Sequence, residues 1–281
     1  MSKLKAFFIT VYVIAGVVIT AVSIGRIATE TAVMTDFGSL LTVLPVLVFL
    51  LFTTLTRRTT RTPRFLPGIS VTVTLGMLIA LAGNFYFNDT SMSAVTMAIA
   101  GHIGYLLYLF WYSEFGHRKT LVSVGAPLPE FEAKDLNDCK VKSSDMIGKP
   151  VLWVFYRGNW CSFCMAQLRE LEAHGQELLR VGAEVVLISS QPVARTRHLA
   201  KKYTAPFRFW IDDNNRVASD LNLNYPLTAP LGTRLFGYGA ETALPTVVIT
   251  DAQGRVVYVD ETVNYRIRPQ PGELTKVIEQ L

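Results

Sequence analysis

Two cysteines three residues apart, in Trp160-Cys161-Ser162-Phe163-Cys164, form the most reactive side-chain pattern in the chain. The apolar run Val151-Leu152-Trp153-Val154-Phe155-Tyr156 stands just before them, and apolar residues at helical spacing (Met165, Leu168, Leu171, Leu178, Leu179) follow. A strand, a tight turn and a helix over 162–180 are predicted in that order. Cys161 then opens the helix, where unpaired amide N–H groups and the helix dipole favour a thiolate over a thiol. Cys164 lies one turn further on, within reach for a small disulfide ring. One sulfur of such a pair attacks and the other resolves, which is the chemistry of thiol–disulfide exchange. A Cys-x-x-Cys is also half of a zinc site. There is no second cysteine pair, and His102, His117, His174 and His198 have no ligand-like spacing, so neither a metal nor another cofactor is expected.

The elements that must hold this pair read as an open α/β sheet. A hairpin is predicted from 131–136 and 140–144 through Asn137-Asp138-Cys139. Strand 151–156, helix 162–180, strand 183–189, helix 193–203, strand 207–211 and a helical turn at 217–221 follow. Residues 222–242 read as an irregular segment covering the site. A hairpin from 244–250 and 255–259 across Asp251-Ala252-Gln253-Gly254 precedes a final helix over 272–281.

The first part of the chain has a different character. Four stretches before Glu114 lack Asp, Glu, Lys and Arg, and they predict membrane helices near 6–25, 39–56, 68–87 and 92–112. A hydrocarbon core of about 30 Å needs roughly 20 apolar residues in a helix. The first stretch follows a basic start, Lys3 and Lys5, but is longer than the core of a cleaved leader and reads as a span. Pro45 and the glycines at 76, 83, 101 and 104 fit kinks and close helix approach. His102, inside the fourth span, is a functional candidate because ionisable groups are costly in lipid.

Basic residues set the orientation. Lys3 and Lys5, then Arg57, Arg58, Arg61 and Arg64, then Arg118 and Lys119 fall on one side of four spans. Both termini and the sheet domain are therefore expected to face the cytoplasm of a multi-pass protein of a bacterial inner membrane. The formal net charge of +5 comes largely from these flanks and points to a lipid bilayer as partner, not to nucleic acid. All three cysteines lie after residue 138, and an odd count argues against a structural disulfide framework. Cys139 is expected as a free thiol in a turn. With no cysteine in the four apolar stretches, the chain cannot pass electrons through the spans by thiol exchange.

The segment Phe155-Tyr156-Arg157-Gly158-Asn159-Trp160-Cys161-Ser162-Phe163-Cys164, the turn Leu244-Pro245-Thr246 and the stretch Tyr265-Arg266-Ile267-Arg268-Pro269 resemble the thioredoxin superfamily. More narrowly, they resemble the redoxin, peroxiredoxin-like branch of the alkyl hydroperoxide reductase/thiol-specific antioxidant (AhpC/TSA) family. The resemblance covers about residues 122–281. It implies a thioredoxin-like fold with Cys161 as the nucleophilic or peroxidatic cysteine and Cys164 as its resolving partner. Pro245 would be the superfamily's cis-proline, and Trp160 would flank the pair and shape the docking surface. Two positions depart from peroxiredoxins: the threonine three residues before the nucleophile is Gly158, and the proline seven before it is Val154. Pro245 stands near where those proteins carry an arginine, and Arg157 is the candidate replacement charge.

The expected organisation is a four-helix transmembrane region at 1–119, a linker at 120–128 and a thioredoxin-like domain at 129–281. The expected activity is membrane-anchored reduction of disulfides or peroxides, recycled by a cellular dithiol of the thioredoxin type. Substrate-binding roles fall to Trp160, Pro245 and Arg157. A redox sensor that couples the disulfide state to the helices is the non-enzymatic alternative. A membrane region with its own activity, such as quinone contact, is a third.

Overall fold

The computed structural model describes residues 2–29, 33–86, 92–116, 120–225, 237–239 and 241–281. Several sequence expectations lie outside them: His117, Arg118 and Lys119, the connection Asn88-Asp89-Thr90, and most of the irregular segment after Tyr225. The chain divides into two compact units, one of Phe7–Thr56 with Thr62–Glu114, the other of Met1–Ala6, Arg57–Arg61 and Phe115–Leu281.

The first unit is helical: α1 Ser2–Ala28, α2 Val33–Thr56, α3 Pro67–Tyr86 and α4 Met92–Leu107. These four helices, the last extended through Tyr112, are long and apolar enough to cross a membrane. Their large apolar side chains point outward, with Leu55 72% and Phe85 74% exposed. The inward faces combine glycines and small polar residues with a few larger groups such as Val43, Val73, Tyr105 and Tyr108. Gly76 and Gly83 on α3 and Gly101 and Gly104 on α4 are buried, as their spacing predicted. A Cβ on Gly76 would lie 2.6 Å from Leu41 Cβ and 2.8 Å from the Gly38 carbonyl oxygen, so α2 and α3 meet backbone to backbone. Ser39 donates to the Ala94 carbonyl at 2.6 Å, and Asp36, fully buried, lies 3.8 Å from Arg26. α4 ends in a wider π turn, Tyr108–Tyr112, closed by Ser113 N–H donating to the Tyr108 carbonyl at 3.0 Å.

The second unit is built on a seven-stranded mixed sheet. Its strands are β1 Glu132–Lys134, β2 Lys140–Lys142, β3 Val151–Phe155, β4 Glu184–Ser189, β5 Arg208–Ile211, β8 Thr246–Thr250 and β9 Val256–Glu261. They lie in the order β2-β1-β5-β4-β3-β8-β9, with β3, β4 and β5 parallel and the others antiparallel to their neighbours. Strands β6 Asn224–Tyr225 and β7 Thr242–Ala243 pair separately. The helices are α5 Ser162–Ala173, α6 Gly175–Arg180, α7 Val193–Ala200, α8 Arg216–Asp220 and α9 Pro271–Glu279.

β3 is buried along its whole length, as a central strand covered on both faces must be. Trp153 anchors one face: its ring packs edge-on against Phe131 and Trp210, each at 5.5 Å, and its Nε1 donates to Thr250 Oγ1 at 3.0 Å. The expected hairpins form, with Asp138 at φ 69° in the first and the Asp251 carboxylate accepting Gln253 and Arg255 N–H groups in the second. The predicted helix over 162–180 is two helices. It breaks at His174, whose φ and ψ of −99° and 8° leave the helical region, and a Cβ on the next residue, Gly175, would stand 3.0 Å from Ala205 Cβ. Residues 120–128, read as a linker, run along this unit: Val122 is buried in its core, and Gly125 N–H donates to the Val256 carbonyl at 2.8 Å.

Candidate active site

β3 delivers the chain to Tyr156, and Gly158 turns it at φ 140°, a conformation that side chains rarely adopt. A Cβ there would meet Trp160 Nε1 at 2.9 Å, so Gly158 is required by both backbone and neighbour. Cys161 is the N-cap of α5, and its Sγ accepts the Cys164 backbone N–H at 3.4 Å. Both thiols are free and buried, Cys161 being 6% exposed.

The two sulfurs are electrostatically unequal. A hydrogen bond from the Cys164 thiol, with the charges of Arg157 and Arg268, brings Cys161 down to about 6 against the cost of its burial. Burial pushes Cys164 up, and so does the neighbouring Cys161. At neutral pH this is one thiolate and one thiol, the division of labour an attacking and a resolving cysteine need.

The loop before Cys161 is pinned by the segment that follows β4, the neighbouring strand of β3. Gln191, 2% exposed, accepts Asn159 N–H at 2.7 Å and donates to Tyr156 Oη at 3.2 Å and Thr196 Oγ1 at 3.1 Å. Tyr238 donates its hydroxyl to the Asn159 side-chain oxygen. Arg157 lies over the Trp160 ring at 4.6 Å and the Phe115 ring at 5.8 Å, so its charge is held by aromatic faces. On the other flank Phe163 packs edge-on against Tyr265 at 5.3 Å.

The structure thus gathers Cys161, Cys164, Arg157 and Trp160. Pro245 is buried at the head of β8, but no peptide bond among the described residues is cis, which corrects the cis reading. The physical reason is local: a proline leading into an extended strand needs no reversal there, and trans is the lower-energy isomer. Cys139 is exposed in the hairpin turn. His102 sits in α4 with Nδ1 buried and without a hydrogen-bond partner.

Two residues escaped the sequence reading. Arg268 is 3% exposed, and its Nε and Nη2 have no hydrogen-bond partner, although its charge acts on both sulfurs. The only signal for it was the quoted stretch Tyr265-Arg266-Ile267-Arg268-Pro269. Gln191 carried no signal, because a lone glutamine after a strand reads as a loop.

Residues 124–259 match the model of the AhpC/TSA family. Over this stretch the chain is similar to the AhpC/TSA family. Among similar proteins, a chloroplastic peroxiredoxin Q of Triticum aestivum is 29% identical over 162 residues, 57% of this chain and 68% of its own length. The thiol-disulfide oxidoreductase ResA of Bacillus cereus is 22% identical over 164 residues, 58% of this chain and 82% of its own. Among solved structures, peroxidoxin BcpB of Mycobacterium tuberculosis aligns with 57% of this chain and 98% of its own, at a TM-score of 0.47 and 18% identity. These similarities to thioredoxin-like redoxins support an oxidoreductase that acts by thiol-dependent reduction of peroxides or disulfides.

Proposed function

We propose that this protein is a membrane-anchored peroxide reductase in which Cys161 attacks and Cys164 resolves. The carrying observation is the buried Cys161 sulfur at the N-cap of α5, with two guanidinium charges acting on it and a protonated thiol one turn away. A cysteine only 6% exposed suits a small hydroperoxide better than a folded protein disulfide. The unpartnered N–H groups of Arg268 supply donors that the family's missing threonine and arginine would otherwise give.

The Cys161 thiolate attacks the nearer peroxide oxygen: an S–O bond forms, the O–O bond breaks, and the departing alkoxide takes a proton. The resulting sulfenic acid is attacked by Cys164, which loses its proton as the S–S bond forms and water leaves. A cellular dithiol then returns two electrons by exchange. Trp160, Arg157 and Pro245 take the substrate-binding roles in this reading, Arg157 adding its charge at the sulfur.

In this reading helices α1 to α4 are the anchor, residues 120–128 join it to the redox domain at 129–281, and the domain faces the cytoplasm. The positions of the basic residues support that orientation. So does the grouping of Met1–Ala6, Arg57–Arg61 and Phe115–Leu281 in one unit. Disulfide reduction is the second reading, favoured by the three-residue cysteine spacing.

The test is stopped-flow fluorescence of the reduced, detergent-solubilised chain mixed with hydrogen peroxide or with a protein disulfide. Rapid, saturating oxidation by peroxide is expected, and Cys161→Ser should abolish it. Slow peroxide oxidation beside rapid disulfide exchange would transfer the assignment to the second reading. A Cys161→Ser protein with full turnover would remove both.

A further inference from the structure

The segment Arg57–Arg61, far from the cysteines in sequence, belongs to the same compact unit as the redox site. Within that unit it reaches both flanks of the thiol pair. Arg61 makes a two-pronged ion pair with Glu170 on α5, Nη2 to Oε2 at 2.6 Å and Nη1 to Oε1 at 3.0 Å. The same guanidinium donates from Nε to the Arg268 carbonyl at 3.1 Å and from Nη2 to the Pro269 carbonyl at 3.3 Å. Thr60 adds a 3.3 Å bond to Glu170. Arg57 donates to the Asn159 carbonyl, two residues before Cys161, and its own carbonyl accepts from Arg169, both at 3.4 Å.

We infer that Arg61 is a positioning residue for the redox reaction: it locks the backbone of residues 268–269 to α5 and so fixes the Arg268 guanidinium that acts on both thiols. The inference rests on Cys161 being the nucleophile. The geometry fits the task. Arg268 hydrogen-bonds through its side chain to its own neighbour, the Ile267 carbonyl at 2.9 Å, while Nε and Nη2 make none. Its side chain is therefore oriented largely by its backbone, and Arg61 holds that backbone. A guanidinium is needed because one planar fork serves a carboxylate and two carbonyls together, which a lysine ammonium cannot do with the same geometry. α5 carries both the ion-pair partner Glu170 and Cys161 at its N-cap, so the clamp joins the charge and the sulfur through one rigid helix. Because α2 ends at Thr56 and α3 begins at Pro67, a strap in the connection between two of the four apolar helices sets the reactivity of the thiol.

The experiment measures iodoacetamide alkylation of Cys161 against pH in the full chain in detergent, read by peptide mass spectrometry. Wild type is compared with Arg61→Ala, Arg61→Lys, Glu170→Gln and Arg58→Ala. Arg61→Ala should move the alkylation midpoint upward by about one pH unit, which cuts the neutral-pH rate up to about tenfold. Arg61→Lys and Glu170→Gln should give smaller shifts in the same direction. Arg58, exposed, is the control for loss of charge alone, and its removal should leave the midpoint in place. A wild-type midpoint in Arg61→Ala, or an equal shift in Arg58→Ala, would overturn the positioning role. An ordinary thiol midpoint in the wild type would instead overturn the reading of Cys161 on which it rests.

Discussion

The two units bury apolar groups in opposite ways. In the sheet unit the largest side chains are inside: Trp153, Tyr156, Phe155 and Leu168 are almost completely buried. In the helical unit Phe85, Leu55, Leu51 and Phe7 face outward, while glycines, Ser39 and Thr42 share the interior with Tyr12, Tyr105, Tyr108 and several valines. A water-soluble core gains its stability by removing apolar area from water, so it draws large side chains in. Helices in lipid gain nothing from that exchange and associate through close backbone approach. The contrast fits the proposed membrane anchor, and it turns into opposite expected responses to a change of side-chain size.

The largest expected effect is in the sheet. Trp153→Ala removes a ring wedged between Phe131 and Trp210 and orphans Thr250 Oγ1, and it should cost about 3–5 kcal/mol. Chemical denaturation of the reduced chain, followed by near-ultraviolet circular dichroism, measures it. A loss below about 1 kcal/mol would mean that this core collapses around the gap, contrary to interiors packed at crystal density.

The helical unit should respond the other way round. Gly76→Leu places a side chain where Leu41 Cβ and the Gly38 carbonyl already stand, at an expected cost of about 1–3 kcal/mol. Leu78→Ala, on the 56% exposed outer face of the same helix, should leave bundle stability in detergent unchanged within about 0.5 kcal/mol. Thermal unfolding in detergent compares the two. A bundle that tolerates Gly76→Leu but not Leu78→Ala would be packing like a soluble core.

The same contrast explains what the sequence made legible. The four apolar helices show because each carries a run long and apolar enough to cross a membrane, and the strand–turn–helix around Cys161 shows because each part is local. The break at His174 was hidden because its context is tertiary, a close approach of Gly175 to Ala205 on another segment. Arg268 and Gln191 reach the site from strand ends and loops more than 25 residues away, where no periodicity reports a side chain's direction. Pro245 misled for a related reason: the family motif gives a residue's place in the fold, whereas the isomer depends on how the chain enters β8. Asp36 precedes the span expected at 39–56, yet it is buried within α2 near Arg26.

The smallest expected effect sharpens the comparison at the surface of the sheet unit. Glu184, on β4, pairs with Lys149 and with Arg208, each at 2.9 Å. Its hydrogen bonds to Arg208, first, and to Lys149 hold its carboxyl below the ordinary carboxylate range. Both basic side chains are more than half exposed, so solvent screens the pairs and Glu184→Gln should cost only about 0.5–1 kcal/mol at neutral pH. The sign in pH follows from linkage. A carboxylate whose folded pKa is depressed contributes stability above its unfolded value and loses it as pH falls through the folded one. The difference between wild type and Glu184→Gln should therefore be full at pH 7, shrink below the ordinary carboxylate range and vanish once Glu184 is protonated in both states. It should also shrink in high salt, since a Debye length of about 3 Å at 1 M screens exposed charges almost completely. A penalty that persists at low pH would assign Glu184 a packing role at the start of β4 instead of a charge role.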